Sequence, residues 1–125
     1  MKTKLPKKST LKLPVKPLSV NKCWQGKRFK TKTYKDYEDE VMQLLMGQKL
    51  DIGDVMWLSI TFGFSNKLSD IDNCLKPLLD ILQKKYGFND RNIYQLVVSK
   101  EIVKKGDEFI EIDSEASYLN SKTSI

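Results

Sequence analysis

Asp70 and Asp72 flank Ile71 in the densest chemical stretch of the chain, Ser69-Asp70-Ile71-Asp72-Asn73-Cys74-Leu75-Lys76. In extended backbone, residues i and i+2 point to the same side. Two carboxylates converging at a strand end make a cradle for a hard divalent cation. Mg²⁺ prefers oxygen ligands and retains several waters, so two or three carboxylates suffice. Lys76 follows Asp72 by four residues, and helical geometry would return its ammonium to the same face. The same Asp-x-Asp pattern also serves as a helix cap, with Lys76 in a surface ion pair. Asp80 lies four residues beyond Lys76 and suits pairing with it.

The chain has no histidine and only two cysteines, Cys23 and Cys74. That removes His-based catalysis, serine and cysteine triads included. A zinc site is not expected, and two isolated thiols are read as free. Any enzyme chemistry must therefore come from carboxylates, lysines and a bound ion.

Charge is unevenly spread. Lysines and arginines number 22 against 16 acids, a net charge of +6, yet residues 1–35 contain no acid. That half offers phosphate contacts, while the carboxylates all fall later. Lys22, Lys27, Arg28 and Lys30 are interleaved with Trp24 and Phe29. Cations there would hold phosphates and an aromatic ring would stack on an unpaired base. A solvated loop anchored to the core by Trp24 fits equally well. Lys67 stands close to the acids in sequence and joins the candidate DNA contacts, as does Lys76.

These groups must be positioned by ordinary elements. At 125 residues the chain suits a single domain over 11–113, with a flexible basic segment at 1–10 and a loose polar tail at 114–125. Pro14 and Pro17 limit Leu11 to Val20 to a short edge strand. Asn21 to Lys32 reads as a basic loop or short ribbon. Thr33 is a plausible N-cap for a helix carrying Tyr34, Tyr37, Val41, Leu44 and Leu45, with Gly47 as its stop. Alternation over Val55 to Phe64 predicts a strand with a buried face.

Ile71, Cys74, Leu75, Leu78, Leu79 and Leu82 form the apolar stripe of a second helix. Pro77 within it argues for a start near Asp72 or Asn73, or a bend, and Gly87 ends it. Ile93 to Val103 and Glu108 to Asp113 read as strands around a turn. The order predicts an α/β or α+β domain, with two main helices packed on a small mixed sheet. No apolar run is long enough to span a membrane, and a cytoplasmic location is the default.

Asp90 sits in Gly87-Phe88-Asn89-Asp90-Arg91-Asn92, between the second helix and the next strand. Local spacing makes it a turn residue. It starts at the far end of that helix from Asp70, so only a return along the next strand or a partner subunit could bring the two together.

From about Leu13 to Asp113 the residues resemble the RusA-type Holliday junction resolvases of bacteria and their phages. Asp70-Ile71-Asp72-Asn73, followed by Lys76 and Asp80, carries the strongest likeness. Gly87 through Asp90 to Ile93 is similar to the family's Gly-x-x-Asp-Asp-x-Gln-Ile stretch. Pro17-Leu18-Ser19-Val20-Asn21, followed by Trp24, is similar to its Pro-Pro-Ser-x-Asn segment. Three departures stand out: Asn89 replaces a first Asp, Leu18 replaces the second Pro, and Asn66-Lys67-Leu68-Ser69 is less basic than usual.

The resemblance implies a homodimeric nuclease that nicks opposing strands of a four-way junction symmetrically, in DNA recombination and repair. It implies Asp70, Asp72 and Asp90 as the essential, metal-holding carboxylates and Lys76 as a catalytic aid. Mg²⁺ is the expected ion, with Mn²⁺ as a substitute. Two alternatives make different predictions. A non-catalytic branched-DNA-binding protein would bind regardless of chelator, and a metal nuclease for flaps or forks would prefer those substrates over junctions.

Overall fold

The computed structural model describes residues 7–26 and 29–118. Strand β1 (Lys7–Leu13) leads through a short 3-10 turn, Val20–Lys22, into a small ribbon of β2 (Trp24–Gln25) and β3 (Phe29–Lys30). Helix α1 (Lys32–Leu45), strand β4 (Val55–Phe64) and helix α2 (Ile71–Tyr86) follow. A second 3-10 turn, Asp90–Asn92, opens onto β5 (Ile93–Ile102), and β6 (Phe109–Ser117) completes the order.

Four strands form one sheet in the order β1-β6-β4-β5. β4 pairs in parallel with β5, whereas β6 runs antiparallel to both β4 and β1. The domain is thus α+β, with a mixed sheet and two helices, as anticipated. β1 is an edge strand, which suits a segment that ends at Pro14.

The core lies between one sheet face and both helices. Leu58, Ile60 and Phe62 of β4 and Ile110 and Ile112 of β6 alternate into it. Trp57, Ser59 and Thr61 stay half-buried on the opposite face. Tyr34, Tyr37, Val41 and Leu45 of α1 and Cys74, Leu78, Ile81 and Leu82 of α2 close over it. This period-two against period-3.6 match is what specifies the layers.

Several local expectations shift. Helix α1 begins two residues earlier than predicted, because Thr31 rather than Thr33 caps it. The Thr31 hydroxyl accepts from the Tyr34 amide at 3.1 Å and donates to the Lys22 carbonyl at 2.6 Å. Helix α2 begins at Ile71 and runs through Pro77. The missing proline amide leaves only the Asn73 carbonyl without its helical donor, and the ring is fully buried. Ile81 and Pro77 join the buried face, while Ile71, Leu75 and Leu79 are only partly covered. Gly87 ends the helix as expected, in a left-handed conformation at φ 73° that suits glycine.

The domain edges also differ from the sequence reading. β1 starts at Lys7, inside the segment expected to be flexible, and β6 runs to Ser117, beyond the Asp113 boundary. Each continues because the other supplies its ladder, with Lys7 opposite Ala116. Residues 1–6 and 119–125, on which the remaining expectations of mobility fall, lie outside the described residues. Among the described residues no helix is long and apolar enough to cross a membrane.

Gly63 faces the ring of Phe109 so closely that a Cβ would overlap its atoms. Gly63→Ala should therefore destabilise the fold by about 1–3 kcal/mol, read from urea denaturation. A variant as stable as wild type would show that the ring relocates freely.

Candidate functional site

Asp70 occupies the N-cap of α2 in extended conformation, φ −96° and ψ 133°, yet its side chain makes no capping hydrogen bond. Its polar neighbour is the Asn73 amide, at 3.4 Å from Oδ2. The backbone position is a cap, but the carboxylate is exposed and open to a ligand. Asp72 already belongs to the first helical turn. The extended i, i+2 argument therefore does not apply to it, because the helix starts one residue earlier than that argument needs. Both carboxylates nonetheless act on the same neighbour. Burial, then Cys23, then Asp70 and Asp72 push the Cys74 thiol up to about 11. Both cysteines are free and buried, as expected.

The loop entering α2 is held from both sides. The Asn66 side chain accepts from the Leu68 amide at 2.8 Å, and Ser65 donates to Glu108 at 2.7 Å. From β5, the Lys100 ammonium donates to the carbonyls of Lys67 at 3.1 Å and Ser69 at 2.9 Å. Lys100 was missed from sequence. The available signal was its place in the row Leu96, Val98, Lys100, Ile102, which lies beside the core-facing residues of β4 and where alternation predicts an apolar residue, although at this sheet edge the row is largely exposed. Lys100 is exposed at this sheet edge, and its ammonium reaches the loop carbonyls before Asp70.

Lys76 pairs with Asp80 at 3.6 Å rather than with the acids before it. This exposed pair contributes little stability, so little holds the ammonium to Asp80. Asp72, Lys76 and Asp80 succeed one another along α2 at intervals of four. Asp80 acts electrostatically on Tyr34, under the basic ribbon.

That ribbon is anchored at its base and open at its tip. Trp24 packs edge-on against Tyr34, with ring centroids 5.7 Å apart, and is 41 % exposed. Phe29 is 72 % exposed. Lys30 does not project freely. It lies 5.1 Å over the Tyr34 ring and bonds Glu38 at 3.1 Å, where Lys84 of α2 also binds at 3.1 Å. Burial alone would raise the Glu38 carboxyl, but its hydrogen bonds from Lys84 and Lys30 outweigh this and hold it below the ordinary value. Lys22 and Lys67 lie nearer Asp70, Lys22 on the cavity beside it and Lys67 in the loop before it. Lys27 and Arg28 lie outside the described residues.

Asp90 is not brought to Asp70. Helix α2 spans 16 residues, about 24 Å, and Asp90 follows its far end. Its backbone amide is fixed by the Gln83 side chain at 3.0 Å. β5 then runs parallel to β4, from Ile93 beside Met56 to Ile102 beside Phe64. The strand returns to the Asp70 end but leaves Asp90 behind. Among the described residues no three acidic or cysteine side chains form a group able to hold a metal ion. Of the two routes left open by the sequence, a return along the next strand is excluded.

Residues 14–113 match the family model described as endodeoxyribonuclease RusA. No curated protein matches the chain.

Two outcomes follow from these contacts. Glu38→Gln should lower stability most near neutral pH. Because the folded carboxyl is depressed, the stabilisation is full above the ordinary value and disappears as pH falls through the depressed one. Urea midpoints of variant and wild type should therefore converge as the pH falls below the depressed value. Lys100→Met should speed amide exchange across residues 66–70 while leaving the urea midpoint near wild type. Unchanged exchange would remove Lys100 from the positioning of that loop.

Proposed function

This chain belongs to the RusA endodeoxyribonuclease family of Holliday junction resolvases, and on that premise we propose that it works as a Mg²⁺-dependent homodimer. It resolves four-way DNA junctions by paired symmetric nicks, in recombination and repair, within the cytoplasm of a bacterium or a cell infected by its phage. Mn²⁺ substitutes for Mg²⁺. The domain from β1 through β6 carries the activity.

The carboxylates present suit such an ion. Asp70 and Asp72 are exposed oxygen donors, and Asp70 is not spent on capping. Mg²⁺ keeps much of its water shell and takes few protein ligands. A bound divalent cation supplies Lewis-acid polarisation of the phosphate and neutralises its developing charge. Lys76, released from Asp80, stabilises charge on the phosphate oxygens or on the leaving oxygen. Lys100 holds the loop that orients Asp70. Lys22, Lys67 and the Trp24–Arg28 segment bind and position the strand.

One observation carries the dimer: Asp70 and Asp90 lie at opposite ends of the β4-α2-β5 unit. β5 is also an open sheet edge, with Tyr94, Leu96, Val97 and Ile102 exposed. Such an edge invites another strand. Two-fold, antiparallel pairing of β5 with its copy would bring Asp90 of the partner subunit to the Lys100 end, beside Asp70. Each site then takes Asp70 and Asp72 from one subunit and Asp90 from the other.

Mixing subunits tests this. Asp70→Asn and Asp90→Asn proteins should each fail to nick a synthetic junction. A mixed dimer should regain one intact site, yielding single nicks on one strand. Sites built within one subunit would leave the mixture inactive. A panel including flaps and forks should show preference for the four-way junction.

A further inference from the structure

A cavity of about 660 Å³ opens directly beside Asp70, between the Lys16–Lys22 segment, α1 and the loop of residues 65–69. We infer that it receives the unstacked nucleobase next to the phosphate that is cut, and reads hydrogen-bond donors on that base. The inference rests on the proposed junction cleavage, in which the scissile phosphate sits at Asp70.

The size lies within the range of small-ligand sites. Its walls include Leu18, Tyr37, Phe64 and Cys74, which offer apolar surface to a flat ring. Its charge excludes the obvious alternative. Asp36, Glu40, Asp70 and Glu108 line it against only Lys16 and Lys22. Asp36 is paired with Lys32, but Glu40, Asp70 and Glu108 still outnumber Lys16 and Lys22, so the interior repels a phosphate and the backbone stays at the rim, by Asp70 and Lys22. A second metal centre is equally unsupported, because among the described residues no three such groups converge.

A neutral ring carrying donors remains. Carboxylates accept from the exocyclic amine of cytosine, and amide side chains pair with adenine. Asn66 and Asn73 stand at the same rim. Asp36 is engaged by Lys32 at 2.8 Å, and Glu108 by Ser65 at 2.7 Å and Gly106 at 2.9 Å. Glu40, by contrast, makes no hydrogen bond or ion pair among the described residues, which leaves it as the spare acceptor. A four-way junction suits this device, because a base at the branch point leaves its stack more cheaply than one within a duplex. Phosphate contacts position a nucleic acid and base contacts specify it. The basic ribbon and this acidic cavity divide those two roles.

The test uses full-length protein with Mg²⁺ and synthetic junctions that differ only in the base flanking the cut. Wild type should nick amine-bearing bases faster than thymine by about tenfold or more. Glu40→Met and Leu18→Trp, which remove the spare acceptor and fill the cavity, should each reduce that ratio to under about twofold. Since Glu40 is exposed, its variant guards against a folding defect in the other. With Asp72→Asn protein, 2-aminopurine at the flanking position should brighten on binding. Unchanged base preference in both variants, or 2-aminopurine that stays as dim as in free junction, would overturn the pocket. Cleavage without base preference overturns the pocket alone, whereas a wild type that cuts no junction overturns the functional reading and the pocket with it.

Discussion

Parallel strands cannot be joined by a tight turn, and β4 and β5 are parallel. The chain must cross from the end of β4 to the start of β5, and α2 makes that crossing. Everything at the site follows from this requirement. The end of β4 and the end of β5 share one edge of the domain, so Lys100 reaches the loop that leads to Asp70. The start of β5 lies at the other edge, so Asp90 stands a helix length away. The same crossover leaves β5 with an unpaired side. One topological constraint thus separates the carboxylates and also exposes the surface through which a second subunit could reunite them.

The charges are arranged by burial as much as by number. Half-buried Glu38 gathers Lys30 and Lys84, tying the ribbon, α1 and α2 together. A lysine held in this way orients the ribbon. Phe29 and the flank of Trp24 remain outside, at the ribbon's open end. Along α2, the succession Asp72, Lys76, Asp80 leads from the acidic site towards that ribbon. Positive and negative groups are therefore close in space but separate in what they do. In the proposed reading, lysines and aromatics serve the strand, and carboxylates serve the ion and the cavity beside it.

Much of the fold was legible because its signals are local. Alternation in β4 and helical spacing in α1 and α2 register the same core from both sides, and Gly87 marks a helix end that needs positive φ. The errors were equally physical. Thr31 and Thr33 are both competent caps, and only the Lys22 carbonyl reached by Thr31 selects between them. Pro77 argued for a later start or a bend, but the helix begins at Ile71, because burial of the proline ring outweighs one lost helical bond. Ser114 looked like the start of a tail. Its strand partners, and the Asp51 carbonyl 2.7 Å from its hydroxyl, keep it in the sheet.

By itself the sequence determined the kind of chemistry. Without histidine, and with acids confined to one part of a basic chain, carboxylate and lysine chemistry was what remained. It also marked Asp70 and Asp72, because neighbours in the chain stay neighbours in space. Tertiary structure decided what depends on distant segments meeting. It freed the Asp70 side chain from capping, set Lys100 beneath its loop, and shaped a half-open cavity from three separate segments. It also kept Asp90 away, since a rigid helix between two residues imposes its own length on them.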